Sequence, residues 1–143
     1  MSLEKAKMYM KEKGYEDHII ELEQSSATVS MAAEALGVEE GMIAKTMSFL
    51  QNDLPVLIVI EGTARIDNRK YKDTFHTKAK MIPFDEVEQY IGHAPGGVCP
   101  FGIREGVQVY LDESLKKFDV VYPAAGNDHS AIKLTIAELE DAC

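Results

Sequence analysis

The residues best suited to chemistry lie in an eleven-residue loop, residues 92–102, with the sequence GHAPGGVCPFG. Its four glycines and two prolines exclude a helix or strand interior, because glycine costs backbone entropy and proline lacks an N–H donor. Yet Val98, Cys99 and Phe101 are too apolar for a solvated linker. Two interpretations stay open: a rigid wall that aims backbone N–H groups at a ligand, or a tight surface connection.

A lysine on the apolar side of a predicted strand is a second candidate. Residues 43–50 alternate in polarity, and the alternation places Lys45 on the same side as Met47 and Phe49. An ammonium group there is costly unless it reaches a cavity, an anion or water. Lys45 therefore either contributes a cation to an anion-binding pocket or reaches bulk water from the end of the strand.

Two further residues carry reactive side chains. His129 lies in the small-residue turn 124–130, where it could shape a pocket, orient a water molecule or simply occupy a turn. Cys99 invites interpretation as a nucleophile beside His93 or His129. Its neighbours Val98 and Pro100 instead favour a small buried cysteine.

The sequence lacks the motifs of most familiar catalytic machinery. It contains no Gly-x-Ser-x-Gly elbow, phosphate loop or dinucleotide fingerprint. Its four histidines and two cysteines are not spaced as metal ligands, so we expect neither a metal nor a cofactor. The loop, Lys45 and His129 together predict a pocket that binds an anion and stabilises an oxyanion through main-chain N–H groups, without a side-chain nucleophile.

Hydrophobic patterning predicts the elements that must position these residues. Strands are expected at 18–22, 43–50, 54–60, 78–82, 106–111, 119–122 and 131–134, and helices at 3–13, 31–36, 68–75, 83–91 and 136–143, with one helical turn at 113–116. The expected N-caps are Thr28 or Ser30 for the second helix, Asp67 for the third and Thr135 for the last. Neighbouring strands follow one another without a helix after each. The pattern therefore favours an α/β (α+β) fold with a mixed sheet or barrel and flanking helices over a doubly wound parallel sheet.

Length, composition and charge limit the classes of protein. A chain of 143 residues is expected to form a single domain, residues 1–143. Apolar runs are too short for a membrane span, and the N-terminus lacks a secretion signal, so we expect a cytoplasmic protein with no membrane partner. The net charge of −9 opposes broad adhesion to nucleic acid. One basic cluster, Arg65, Arg69, Lys70 and Lys72, is either a solvated helix face or a rim that steers phosphate.

Five short motifs, in this order and spacing, resemble the YbaK/ProX-type proteins, relatives of the editing domain inserted in bacterial prolyl-tRNA synthetase. They are residues 35–38 (ALGV), 43–46 (IAKT), 65–67 (RID), 96–100 (GGVCP) and 126–129 (GNDH). The resemblance covers nearly the whole chain. It implies a mixed sheet wrapped into a barrel-like core with flanking helices.

The resemblance also implies an activity: hydrolysis of an amino acid wrongly esterified to tRNA, such as alanine or cysteine on the tRNA for proline. The implied partner is the tRNA acceptor end, and prolyl-tRNA synthetase is a candidate partner. Backbone N–H groups would stabilise the oxyanion, while the free ribose hydroxyl helps to position the attacking water. The alternative is a non-catalytic binding or regulatory module that recognises an aminoacyl-tRNA end or a small anion. The sequence leaves the oligomeric state open.

By the same resemblance, individual residues acquire expected roles. Lys45 corresponds to the family lysine that grips the terminal phosphate region. The family Gly-x-x-x-Pro loop, whose amides hold the ester, corresponds to Gly96, Gly97, Val98, Cys99 and Pro100. His129 falls where alanine-editing relatives keep a histidine beside the side-chain pocket. The cysteine-editing branch has an aspartate where this chain has Ala131, which favours alanine or another small amino acid.

Overall fold

A computed structural model describes residues 2–143 as a curled, five-stranded mixed sheet flanked by helices. Its helices are α1 Ser2–Lys13, α2 Val29–Leu36, α3 Asn68–Phe75, α4 Val87–Ile91 and α5 Ile136–Ala142. Its strands are β1 Ile19–Glu21, β2 Ile43–Gln51, β3 Leu54–Glu61, β4 Gln108–Leu111, β5 Val120–Pro123, β6 Ser130–Ile132 and β7 Leu134–Thr135. The predicted mixed, barrel-like sheet with flanking helices is confirmed.

The sheet mixes parallel and antiparallel pairs in the order β4-β3-β2-β5-β7. β2 and β3 form an antiparallel hairpin, and each has a parallel neighbour on its other side, β5 and β4 respectively. β7 is antiparallel to β5, while β1 and β6 form a separate antiparallel pair. The one strand predicted at 131–134 is therefore two strands, because its halves pair with different partners.

The predicted strand at 78–82 is wrong. Only Met81 forms a bridge, to Phe49, although two main-chain hydrogen bonds tie the segment to the outer edge of β2. Leu50 N–H donates to the Lys80 carbonyl at 2.8 Å, and Ile82 N–H donates to the Ser48 carbonyl at 3.1 Å. The apolar pattern thus marks a segment that lies against the sheet without joining it as a regular strand.

The β2–β3 hairpin explains how a proline fits in a strand that has neighbours on both sides. Its turn residues Asn52 and Asp53 have φ angles of 51° and 66°, which is typical of the tight turns that match strand twist. Pro55 faces Leu50, whose N–H points away from β3 toward Lys80. This is a non-hydrogen-bonded pair, and β4 begins to pair only at the following residue, Val56. The missing N–H of proline therefore breaks no ladder bond.

Alternation along β3 divides the core between the two faces of the sheet. Val59 packs among apolar side chains of α1 and α5, whereas Ile58 and Ile60 pack with Tyr71 of α3 on the other face.

Polar residues cap three helices as predicted. Thr28 caps α2, Asp67 caps α3, and Thr135 opens α5 with a capping box completed by Glu138. Among residues 2–143, no helix has the length and apolar character needed to cross a membrane.

Candidate functional site

The glycine- and proline-rich loop forms one wall of a cleft. It begins where Gly92 ends α4, and Gly97 N–H donates to the Ala94 carbonyl at 3.1 Å to close a turn. Gly96 has a φ angle of 91°, a conformation that side-chain-bearing residues rarely adopt. Pro95, Gly96 and Val98 line the cleft. Of the two interpretations of this loop, the geometry favours the shaped wall.

Gly97 faces away from the cleft and lets two irregular segments touch through their backbones. A Cβ atom placed on Gly97 would lie 2.5 Å from both Cα and N of Asn127. The loop and the turn at 124–130 are about 30 residues apart in sequence, yet they pack with no room for a methyl group. The position of the cleft wall is therefore set by the turn that carries His129.

Buried residues of the loop hold it against the protein core, on the side away from the cleft. Cys99, Phe101 and His93 are fully buried, and His93 Nε2 donates a 2.6 Å hydrogen bond to the Phe101 carbonyl. The Cys99 thiol lies 3.6 Å from the same carbonyl, and burial raises the pKa of this thiol to about 12. A thiol with this pKa stays protonated at neutral pH, which opposes a role as nucleophile. Cys99 and the buried Pro100 do not line the cleft.

The cleft is small and has few titratable groups. Its volume is about 200 Å³, below the roughly 300–1,000 Å³ of typical small-molecule sites. Four segments of the chain supply its lining: Ser26, Ala27, Thr28, Val29 and Ala32; Ile43, Ala44, Lys45, Thr46 and Ser48; Val87, Pro95, Gly96 and Val98; and Tyr122, Ala124, Ser130 and Ala131. Within the described residues, Lys45 and Tyr122 are the titratable side chains of this lining.

Lys45 is held at the cleft by a hydrogen bond and keeps its charge uncompensated by any carboxylate. Its half-buried Nζ donates to the Ala64 carbonyl at 2.8 Å, so the side chain does not extend freely into bulk water. In the described part of the chain it forms no salt bridge. An ammonium group has three donors. Two of them therefore remain for an anion at the mouth of the cleft.

Thr46, which the sequence analysis did not single out, lies where β2 loses its outer neighbour. β5 pairs with β2 only at Ile43 and Ala44, and segment 80–82 makes its bonds only from Ser48 onward. Because Ser48 and Leu50 direct their main-chain groups outward, alternation directs the N–H and C=O of Thr46 to the same open edge. Its buried hydroxyl also lacks a hydrogen-bond partner among residues 2–143. In the sequence, the only signal that could have identified Thr46 as a site residue was a threonine in a strand of mostly apolar residues.

His129 lies beside the cleft rather than in its lining. Its side chain is 49% exposed, and Nδ1 lies 2.5 Å from Oδ1 of Asp128. Its carbonyl accepts a 2.7 Å hydrogen bond from Leu22 N–H, which ties the turn to the chain after β1. The next two residues, Ser130 and Ala131, do line the cleft. Ala131 thus presents a methyl group to the cavity.

Comparison with known proteins points to one family. Residues 23–142 match the family model of the aminoacyl-tRNA editing domain. The chain is 46% identical over 142 residues to "Uncharacterized protein YwhH" of Bacillus subtilis (strain 168), covering 99% of this chain and 90% of that one. It is 28% identical over 122 residues to "Putative Cys-tRNA(Pro)/Cys-tRNA(Cys) deacylase EbsC" of Enterococcus faecalis (strain ATCC 700802 / V583), covering 84% and 74%.

A solved structure supports the same grouping. It is described as "Crystal structure of a putative trans-editing enzyme for prolyl tRNA synthetase" and superposes with a TM-score of 0.90. Its sequence is 28% identical, and the superposition covers 99% of this chain and 90% of that one. The curled mixed sheet is therefore shared with a protein of similar length.

The close contact at Gly97 predicts a specific cost of adding a methyl group. We expect Gly97→Ala to lower the free energy of unfolding by about 1–3 kcal/mol, because the loop must move away from Asn127. Chemical denaturation measures this change. The comparison variant is Gly106→Ala, where the added Cβ meets nothing within 4 Å and the cost is that of a φ angle of 91° alone. A loss of stability at Gly97 well below about 1 kcal/mol would contradict the close packing against Asn127.

Proposed function

The chain belongs to the aminoacyl-tRNA editing domain family, and from that premise we propose that it is a trans-acting deacylase. Its proposed reaction is hydrolysis of the ester between a small amino acid and a tRNA, with alanine or cysteine on the tRNA for proline as the leading substrates. The observation that carries the proposal is one small cleft lined by Lys45, by the open edge of β2 at Thr46, and by the loop residues Gly96 and Val98.

The size and lining of the cleft support a small aminoacyl group. Ala32, Ile43 and Ala131 give apolar walls to a cavity of about 200 Å³, which excludes bulky side chains by steric contact. Such a pocket cannot strongly reject a side chain smaller than its best ligand. Ala131 in place of a carboxylate favours alanine over cysteine, whereas the printed name of the Enterococcus relative specifies cysteine. Both amino acids therefore belong in any substrate test.

The proposed chemistry depends on main-chain dipoles and the substrate's own hydroxyl. Water attacks the ester carbonyl, the carbonyl oxygen becomes an oxyanion, and the main-chain N–H groups of Gly96 and Val98, the residues of the 96–100 loop that line the cleft, stabilise that charge. The ester C–O bond then breaks, and the leaving ribose oxygen takes up a proton. The neighbouring ribose hydroxyl positions the attacking water, so no protein base is needed. His129, beside the cleft, is assigned the role of shaping its rim rather than abstracting a proton.

Serine hydroxyls in the cleft do not offer an alternative nucleophile. Ser26 Oγ donates to the Ser130 carbonyl at 3.3 Å and accepts from Ser130 N–H at 3.2 Å. The hydroxyl of Ser130 donates to Oδ1 of Asn127 at 2.7 Å. Neither of these two serines has a base beside it, and nucleophilic catalysis requires one. For Ser48, the third serine of the described lining, the cleft likewise presents no histidine or carboxylate that could serve as a base.

The proposed substrate also defines partners and place of action. Lys45 supplies a point charge for the phosphate of the terminal nucleotide. We propose that contact is restricted to the tRNA acceptor end, because the chain carries a net charge of −9. The solved structure described above is named for prolyl-tRNA synthetase, which makes this enzyme a candidate partner, and translation places the reaction in the cytoplasm.

A second candidate function is a binding module that recognises an aminoacyl end without cleaving it. The observation that favours it is the shortage of titratable groups in the cleft lining, where only Lys45 and Tyr122 ionise among the described residues. The two functions differ in one measurable product. Release of free amino acid over time supports the deacylase, whereas saturable binding with an intact ester supports the module.

The role of Lys45 predicts a selective loss of activity. We expect wild-type protein to deacylate Ala-tRNA or Cys-tRNA for proline, with Ser-tRNA and Pro-tRNA as further members of the panel. Lys45→Ala should lower kcat/KM at least tenfold, because a charge-assisted contact is worth roughly 1.5–3 kcal/mol. Lys11→Ala, at an exposed lysine of α1, is the matched control and should retain activity. No turnover on any member of the panel would exclude the deacylase.

The unpartnered hydroxyl of Thr46 predicts that its removal lowers activity without lowering stability. Thr46→Val should leave the free energy of unfolding unchanged or slightly higher, because the lost hydroxyl has no partner in the protein. The rate of hydrolysis should fall about tenfold, because the variant loses one hydrogen bond to the substrate, which contributes roughly 1–2 kcal/mol. Thr46→Ser keeps the hydroxyl and should keep most of the activity. Equal activity of the valine and serine variants would remove Thr46 from the site.

The buried thiol predicts that Cys99 is dispensable for the chemistry. Cys99→Ser should retain most of the deacylation rate, because the thiol stays protonated and does not line the cleft. Single-turnover rates measured on wild type and variant test this. Abolished activity in a variant with unchanged thermal stability would instead support a thiol-dependent hydrolase.

A further inference from the structure

A second cleft lies on the opposite face of the sheet from α1 and α5, beside α3. Its volume is about 350 Å³. It is lined by Ile58 and Ile60 of β3, by Arg65, Ile66 and Asp67, by Lys70, Tyr71, Thr74 and Phe75 of α3, and by Tyr110, Leu111 and Asp112. The lining combines two cations with three aromatic rings, whereas the first cleft has one of each, Lys45 and Tyr122.

Two cations at this cleft are not engaged in ion pairs of the described chain. Arg65 and Lys70 are exposed, and within residues 2–143 neither forms a salt bridge or a side-chain hydrogen bond. They belong to a stretch, residues 65–72, that holds four basic residues and one acidic residue in a chain of net charge −9. A local cationic site is therefore present where the rest of the surface would repel an anion.

The two carboxylates of the cleft are engaged by the main chain. Asp67 accepts hydrogen bonds from the N–H groups of Lys70 and Arg69, at 3.0 and 2.9 Å, and these bonds lower the pKa of its carboxyl group. Asp112 accepts a 3.0 Å hydrogen bond from Ser114 N–H. Each carboxylate is partly compensated by these donors. Arg65 and Lys70 remain as the groups able to bind an incoming anion.

Three aromatic rings also line this cleft. The ring of Phe75 lies between Tyr71 and Tyr110, with centroid distances of 4.8 and 4.9 Å. Tyr110 is 38% exposed, which is unusual for a large side chain that is packed against other rings. Proteins bind single-stranded nucleic acid by combining such stacking surfaces with cations that contact the backbone.

A hydrogen bond connects the second cleft to the first. Lys45, in the lining of the first cleft, donates to the Ala64 carbonyl, and the next residue along the chain, Arg65, lines the second cleft. Lys45 and Arg65 therefore lie on either side of Ala64, where the two clefts adjoin.

We propose that the second cleft binds the nucleotide that precedes the terminal adenosine of the tRNA. Its base stacks on Tyr110, and its phosphate lies between Arg65 and Lys70. This subsite rests on the proposed deacylase function, because that function places the aminoacyl-adenosine in the first cleft. It gives an acidic protein a local way to hold the single-stranded end of an RNA.

The decisive comparison uses two substrates that carry the same amino acid. Aminoacyl-adenosine reaches only the first cleft, whereas an aminoacylated CCA trinucleotide reaches both. The double variant Arg65→Gln/Lys70→Gln should lower kcat/KM about tenfold on the trinucleotide and on tRNA relative to aminoacyl-adenosine. In a plot of the logarithm of the binding constant against the logarithm of salt concentration, the slope for this variant should be less steep by about 0.7 for each phosphate contact removed. Lys11→Gln/Lys116→Gln, two exposed lysines outside both clefts, is the charge-matched control.

The stacking surface is tested by a pair of tyrosine variants. Tyr110→Ala should weaken binding of an unacylated CCA trinucleotide about tenfold, in the range known for one stacked base. Tyr110→Phe keeps the ring and loses only the hydroxyl, which donates to Gln108 Oε1 at 2.8 Å. It should therefore bind like the wild type.

Two results would overturn the subsite. One is an equal effect of the Arg65→Gln/Lys70→Gln variant on aminoacyl-adenosine and on the trinucleotide. The other is unaltered binding of the unacylated CCA trinucleotide by both this variant and Tyr110→Ala. Failure of the deacylase proposal is separate, because it would leave aminoacyl-adenosine and tRNA unhydrolysed by wild type while CCA binding still reports on the second cleft.

Discussion

The candidate site depends on an interruption in the hydrogen bonding of β2. β5 leaves this strand after Ala44, and segment 80–82 reaches it only at Ser48, so the main chain of Thr46 has an open edge between them. Main-chain donors and acceptors need partners, and here water or a ligand must supply them. The interruption therefore creates polarity inside an otherwise apolar wall. It does so without a charged side chain, which suits a site that must recognise a neutral ester.

The second wall of the cleft is a consequence of backbone packing. Gly97 allows the loop to approach Asn127 so closely that a methyl group would not fit. Behind the loop, Cys99, Phe101 and His93 are buried around one carbonyl group. The loop is thus held by a turn on one side and by the core on the other. A wall fixed in this way can hold N–H groups in place before the substrate binds, which is what stabilisation of an oxyanion requires.

The distribution of charge fits the same view of the protein. Lys45 and Arg65 follow one another past Ala64, from the first cleft to the second, whereas the chain as a whole is acidic. Under the proposed function, attraction for RNA is confined to this short stretch of the surface. The selectivity of the proposed deacylase then comes from the aminoacyl end, where the small volume of the first cleft excludes bulky side chains.

Residue patterns within the sequence were enough to predict the mixed sheet, the helix caps at Thr28, Asp67 and Thr135, and the loop and lysine that line the cleft. Local rules govern these features, because polarity alternates along a strand and glycine and proline disrupt regular structure. The resemblance to the editing family added the expected roles, of which those of Lys45, His129 and the 96–100 loop remain predictions. Only the tertiary structure decided that segment 80–82 stops short of Thr46, that Ala131 faces the cavity while His129 lies beside it, and that Lys45 bonds to Ala64. These contacts join residues far apart in sequence, and no local pattern specifies which strand edge stays open or which side chain of a turn points inward.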